Sequence, residues 1–328
     1  MRTIPTLATA TLPARAVFAR DWAGGWLIVT DDPAVRIVDP ALATIADHRL
    51  DAVPVDVTTD ASGAQLVVAF DDALVGRSGD AETWRVTGEF LACRHAGPRI
   101  WTAERRASGI ELARRDPDTG AVRRLTSIDD PFGDSAVMFC PHPDPRAVIA
   151  WVAAGQDGQA SWVILDDGES VTATEVAPRD RLPPVFTPTG DAYLSASPDI
   201  LEYLAWPGGE DLDALEWSDE DDGGDAFDDP AGDYVIYVPG GYATWASANG
   251  RLYLIDLAAL VVIDELVIAD HPLRTIGELY PKLVEDTPAT DFEGARPGPD
   301  GLVLTIHAGL ELAVSRLADW SPDPERVP

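Results

Sequence analysis

The chain has 328 residues, 46% of them hydrophobic and ten of them Trp, enough to bury a sizeable core. It carries 56 acidic against 24 basic side chains, a net charge of −32, with 40 Asp and a single Lys, Lys282. That surplus opposes attraction to nucleic acid or an anionic membrane, where Lys and Arg must displace counterions, and favours basic protein partners.

The N-terminus, "MRTIPTLATATLPARAVFARDW", is broken by Thr and Pro where a signal peptide needs an unbroken apolar stretch. No run approaches the roughly 20 apolar residues of a membrane-spanning helix. Two cysteines do not make a disulfide framework, so the expected setting is reducing and cytoplasmic. The scarcity of Lys beside 23 Arg points to a genome-composition bias or a salt-adapted source.

From there short β-branched and aromatic runs recur: "GWLIVTDD", "AQLVVAFDD", "RIWTAE", "AVIAWVAA", "SWVILDD", "DYVIYV", "RLYLIDL" and "LVLTIHA". Each has strand length and flanking turn residues, and no long helices alternate with them, which predicts an all-β sandwich, barrel or propeller. Paired acids such as Asp71–Asp72 and Asp166–Asp167 fall at the ends of these runs, where Asp is favoured as a turn former.

Between residues 94 and 124 lie eight arginines, with the pairs Arg105–Arg106, Arg114–Arg115 and Arg123–Arg124 recurring every nine residues. Nine residues is about one strand plus a turn, so the pairs are expected to align as a basic band for an anion or acidic peptide. The alternative is that they neutralise acids of neighbouring blades. In the same region, Cys93 and His95, and then Cys140 and His142, form two Cys-x-His pairs 47 residues apart. Residues i and i+2 share a strand face, and two thiolates with two imidazoles are a tetrahedral zinc set. The alternative is buried structural Cys with hydrogen-bonded His.

The clearest repeat unit is Val185 to Trp206, "VFTPTGDAYLSASPDILEYLAW", a strand, a Pro/Gly turn, a second strand, an Asp turn and a third strand ending in Trp. It resembles the WD40-like and YVTN-type propeller repeat. First-hairpin turns are expected near Gly24, Gly63, Gly97, Asp144, Gly190, Gly240 and Asp300, at intervals of 34 to 60 residues, against roughly 40–50 per blade for such repeats. The resemblance implies a seven-bladed β-propeller spanning residues 1–328 as one domain. After the last unit only "SPDPERVP" remains, so the strand Thr3–Leu12 is expected to complete the last blade and close the ring.

Two segments exceed the repeat. Residues 210–233 hold twelve acids and no base, nine of the acids between Glu216 and Asp233. Asp219, Asp221 and Asp225 match the opening positions of a calcium loop, but Gly223 and Pro230 stand where further oxygens are needed. The segment is therefore a solvated loop, a partner-binding surface or an irregular calcium site. Residues 270–290 place Leu273, Ile276, Leu279 and Leu283 on one helical face broken by Pro281, which predicts a short helical insertion.

No phosphate loop, nucleophile elbow or H-E-x-x-H motif is present in the sequence. The functional expectation is a non-catalytic interaction scaffold of a bacterial cytoplasm that binds a basic protein through an acidic face. The alternative is a propeller hydrolase or lactonase with calcium, the one cofactor considered, at the channel mouth.

Overall fold

The structure is a computed structural model that describes residues 2–130, 133, 135–153, 158–176, 181, 183–196, 200–216, 235–238, 242–246, 252–268, 294–307 and 309–317. The described elements are strands joined by turns, with one 3-10 turn at Pro299–Gly301. No helix among the described residues is long and apolar enough to cross a membrane.

In chain order, two short N-terminal strands, β1 (Arg2–Ile4) and β2 (Thr6–Thr11), precede the first full sheet, β3 (Ala16–Trp22), β4 (Gly25–Thr30), β5 (Ala34–Val38) and β6 (Thr44–Arg49). The second sheet is β7 (Asp56–Thr59), β8 (Gln65–Ala69), β9 (Ala73–Ser78) and β10 (Ala81–Thr87). The third is β11 (Glu89–Ala96), β12 (Arg99–Arg106), β13 (Gly109–Arg115) and β14 (Val122–Ile128). The fourth is β15 (Ala136–Pro141), β16 (Ala147–Ala153), β17 (Gln159–Asp166) and β18 (Val171–Val176). The fifth is β19 (Val185–Phe186), β20 (Ala192–Ala196), β21 (Ile200–Ala205) and β22 (Asp211–Glu216). Then come β23 (Val235–Val238), β24 (Tyr242–Ala246), β25 (Leu252–Asp256) and β26 (Val261–Ile268), and finally β27 (Gly294–Pro297), β28 (Leu302–His307) and β29 (Glu311–Arg316).

Each group is an antiparallel meander, and the N-terminus supplies the two exceptions. Strand β2 pairs antiparallel with β29 and completes the last sheet, as the leftover N-terminal segment predicts. Strand β1 leaves that sheet and pairs in parallel with β26, Arg2 opposite Leu266 and Ile4 opposite Ile268. Pro5 sits between the two, and a residue with no N–H to donate is a natural place for the chain to change sheets. The expectation of a seven-bladed propeller is thereby corrected to six four-stranded blades among the described residues. The other sheet, β23–β26 with β1, is a mixed sheet of five.

Burial follows position within the sheet. Second strands are closed on both faces, so "GWLIVT" of β4 and all of β20 are buried throughout and β16 nearly so. This is why these segments read as continuous apolar runs rather than alternating ones. Fourth strands other than β26 are edges with one solvated face, and β2, β14 and the latter half of β10 alternate accordingly.

By internal contact the chain forms two compact units. One comprises Met1–Asp32, Arg36–Ala46 and Trp217–Pro328, the other Pro33–Val35 and Asp47–Glu216. In the first, Leu12, Ala19, Trp26, Ile28, Leu304 and Val314 are buried in one apolar cluster between β3–β4 and β28–β29. The Trp26 indole N–H donates to the Pro297 carbonyl at 2.8 Å, satisfying the one polar atom the cluster encloses at that ring. In the second unit, Trp101, Leu112, Phe139, Val148, Trp162 and Ile164 form a core between the third and fourth sheets. Each such aliphatic side chain contributes about 1.5–3 kcal/mol on full burial.

The predicted first-hairpin turns at Gly24, Gly63, Gly97, Asp144, Gly190 and Asp300 each lie between the first and second strands of a sheet. Gly240 and the helical insertion expected over 270–290 lie outside the described residues, as does all of the acidic segment beyond Glu216.

Candidate functional site

The arginine-rich third sheet is the most strongly charged region that sequence reading singles out, and its register decides what the arginines do. Antiparallel pairing sets Arg106 opposite Gly109 and Arg115 opposite Ile100, so Arg105–Arg106 lie at one end of the sheet and Arg114–Arg115 at the other. Strand β14 begins beside the end of β13, which places Arg124 directly opposite Arg114. The expected continuous band is therefore corrected to two groups. Arg105–Arg106 and Arg114–Arg115 each end a strand, and antiparallel reversal puts those two ends at opposite sides of the sheet, whereas Arg123–Arg124 begin β14 and so return to the end that holds Arg114–Arg115.

Each of the six arginines reaches an acid. Arg105 contacts Glu89 at 2.7 Å and Asp130 at 2.9 Å, and also donates to the carbonyls of Gly133 and Ser135. Arg106 lies 2.8 Å from Glu104 and 3.5 Å from Glu111. Arg115 donates to Glu104 at 3.1 Å, to Thr102 and to the Gly120 carbonyl, and its guanidinium stands over the Phe90 ring. Arg123 pairs with Asp116 at 2.6 Å. Arg114, stacked over Trp101, meets Asp166 of β17 at 2.7 Å, and Arg124 reaches the same carboxylate at 3.3 Å and the Gly168 carbonyl. Asp166 thus neutralises two arginines that would otherwise repel across the β13–β14 ladder.

The protonation equilibria follow from this packing. Burial alone pushes the Asp166 carboxyl up, but the Gly168 N–H and the guanidiniums of Arg114 and Arg124 outweigh it and hold the group below the ordinary aspartate value. At Glu104 burial wins over Arg106 and Arg115, and the carboxyl is raised. The same burial lowers Arg115 despite Glu104 beside it.

The two Cys-x-His pairs are not brought together. Cys93 is buried among Val67, Leu74, Phe90 and Ile100, and its thiol donates to the Val67 carbonyl at 3.7 Å. Cys140 is buried in a different cluster, with Ile149, Val163, Phe186 and Tyr193. The ring of His142 stacks on Trp206 and meets Phe186 edge-on. Its Nδ1 accepts the Asp144 N–H at 2.8 Å, so the proton sits on Nε2 and is donated to the Gly190 carbonyl at 2.8 Å. Both nitrogens are committed, and a Cβ at Gly190 (φ 74°) would collide with the imidazole. The ring nitrogens of His95 have no hydrogen-bond partner among the described residues, and burial lowers its pKa to about 4.

What Cys93 and His95 do supply is backbone. Asp56 and Thr58 of β7 accept the N–H groups of Cys93 and His95, at 3.0 and 2.9 Å, tying the first strand of the second sheet to the first strand of the third. No group of three or more His, Cys, Asp or Glu among the described residues is arranged to hold a metal ion. The calcium candidates Asp219, Asp221 and Asp225 lie outside the described residues.

One recurring device was apparent to sequence reading only at Asp166. Asp39, Asp116, Asp166 and Asp256 each stand at the end of a third strand or one residue beyond it. Each accepts, through Oδ1, the N–H two residues on, from Ala41, Asp118, Gly168 and Ala258. The turn that follows requires a left-handed residue, which is Gly120 (φ 69°) after Asp116 but Leu42 (φ 61°) and Leu260 (φ 47°) after Asp39 and Asp256. The recurrence of Asp at third-strand ends is legible in "VDPAL", "RDPDTG", "LDDG" and "IDLAAL", though hidden by the abundance of Asp elsewhere.

No family model matches the chain, and no curated protein matches it in sequence. Among solved structures, it is similar to the Cps50 (Swd1) β-propeller domain of Myceliophteria thermophila at 10% identity and a TM-score of 0.62, covering 93% of this chain and 97% of that one. It is also similar to BamB from Moraxella catarrhalis at 14% identity and a TM-score of 0.55, covering 96% and 100%. At such identities the likeness concerns the fold alone, and together with the series of antiparallel meanders it makes this chain an all-β propeller.

Proposed function

We propose that the protein is a non-catalytic interaction scaffold of a bacterial cytoplasm whose acidic surface engages a basic protein partner. The observation that carries this reading is an imbalance in how charge is used. The six arginines of the third sheet are engaged with acids of the same chain, whereas Asp71, Asp72, Asp80, Asp129, Asp167 and Glu169 are exposed at turns. With a net charge of −32, the surface potential attracts cationic surfaces and steers their approach.

Affinity capture from a lysate, at about 0.05 and about 0.5 M salt, tests this because exposed charge pairs are screened within a few ångström at high salt. The reading expects captured proteins of high isoelectric point that are released by salt. Capture indifferent to salt, or of acidic proteins, contradicts it. A rise in melting temperature on adding calcium would instead favour the metal-dependent hydrolase, because specific binding stabilises the native state.

A further inference from the structure

Strand β26 is the last antiparallel strand of its sheet, and β1 covers its outer edge only along Leu266–Ile268. The earlier part of that edge begins with Val261, Val262 and Ile263, which are 44%, 38% and 38% exposed. The register with β25 shifts here, so that Leu254 faces Asp264 and Ile255 faces Val262, leaving Ile263 as the extra residue of a bulge. Three consecutive apolar side chains are thus presented to solvent, followed in the strand by Asp264 and Glu265. Edge strands are ordinarily blunted by charge or polarity, as β10 is by the exposed Glu82, Thr83, Arg85 and Thr87.

We propose that the edge of β26 from Val261 to Glu265 is a strand-addition site for an extended segment of a protein partner that combines apolar with basic side chains. The proposal rests on the basic-partner reading and assigns it a place. Two observations support this occupant. The chain already adds a strand to this edge through β1, so the edge is competent for main-chain pairing and the site continues an interface present in the fold. The order of residue types, three apolar and then two acidic, fits apolar and cationic side chains on the added strand. A second copy of this chain is disfavoured, since two molecules each of net charge −32 would meet edge to edge with their own acids.

The test uses a fluorescent octapeptide alternating Val and Lys, with a Val/Glu octapeptide as control, titrated against the whole protein by anisotropy. The substitution Val262→Lys places a cation on the edge, and Leu125→Lys does the same at an exposed apolar position of β14. Unchanged circular dichroism and melting temperature establish that both variants fold. The expected result is Val/Lys binding weakened about tenfold or more by Val262→Lys and about twofold or less by Leu125→Lys, with negligible Val/Glu binding. Absence of Val/Lys binding, or equal effects of the two substitutions, overturns the proposal. Salt-sensitive binding that ignores Val262→Lys overturns the edge assignment and leaves the basic-partner reading standing. An edge effect combined with a lysate capture that yields no basic protein does the reverse.

Discussion

Arg114 and Asp166 lie 2.7 Å apart with their side chains almost wholly withdrawn from solvent, and they join β13 of the third sheet to β17 of the fourth. Arg124, opposite Arg114 in the ladder, shares the same carboxylate. Removing the acid leaves the buried Arg114 guanidinium without its carboxylate, while Arg124, partly exposed, keeps the field of Asp167.

The substitution Asp166→Asn is therefore expected to destabilise the protein by about 3 kcal/mol, the usual cost of breaking a buried pair from one side. Arg123→Ala, which removes a half-exposed partner of Asp116, is expected to cost about 1 kcal/mol or less. Urea unfolding of the two variants beside the parent checks both. Equal losses would show that burial of the Asp166 network has been overrated.

The arginines show how far the sequence could be read. Their nine-residue recurrence is visible in the sequence, and so is the alternative that they neutralise acids of neighbouring blades. Which pairs share an end of the sheet depends on the antiparallel register, and Asp166 enters only because β17 packs against β13, 52 residues away in sequence. The six first-hairpin turns on described residues were legible because Gly, Pro and Asp punctuate the chain locally. The switch of β1 onto β26 was not, since Arg2–Ile4 reads like a continuation of the strand that follows Pro5 and only the parallel pairing separates them.

His95 predicts a pH dependence. Its native pKa is lowered to about 4 by burial, against an ordinary value near 6.5. Between those values the unfolded chain binds a proton that the native state refuses, so His95 makes stability fall as pH drops from about 6.5 to about 4. Glu104, with a raised carboxyl pKa, acts in the opposite sense. Denaturant midpoints measured across this window are expected to vary less in His95→Gln than in the parent. An unchanged slope would mean that the imidazole is protonated in the native state.

Trp26 and Gly298 form a second packing test. The indole N–H is anchored on the Pro297 carbonyl, and a Cβ at Gly298 would fall inside the ring's van der Waals shell. Gly298→Ala is expected to cost about 1–3 kcal/mol through overpacking, since Trp26 is fully buried and has nowhere to move. Thermal unfolding checks it, and a melting temperature equal to the parent's would show that the ring can shift.

The two N-terminal strands are expected to differ in weight. Deleting residues 1–5 removes β1 from an edge and leaves the last sheet intact, so a small loss of melting temperature is expected. Deleting residues 1–12 also removes β2 and Leu12, exposing β29 and the buried Leu312 and Val314 against which they pack. Loss of cooperative unfolding or aggregation is expected there. Equal behaviour of the two truncations would show that β2 contributes little to holding the last sheet.

The claim that an acidic surface selects a basic partner is tested most directly by the salt-dependent capture, with the bound proteins identified by mass spectrometry. The account predicts a partner of isoelectric point above about 9, held at about 0.05 M salt and released by about 0.5 M. A partner of acidic or neutral character, or one retained undiminished at the higher salt, would contradict it.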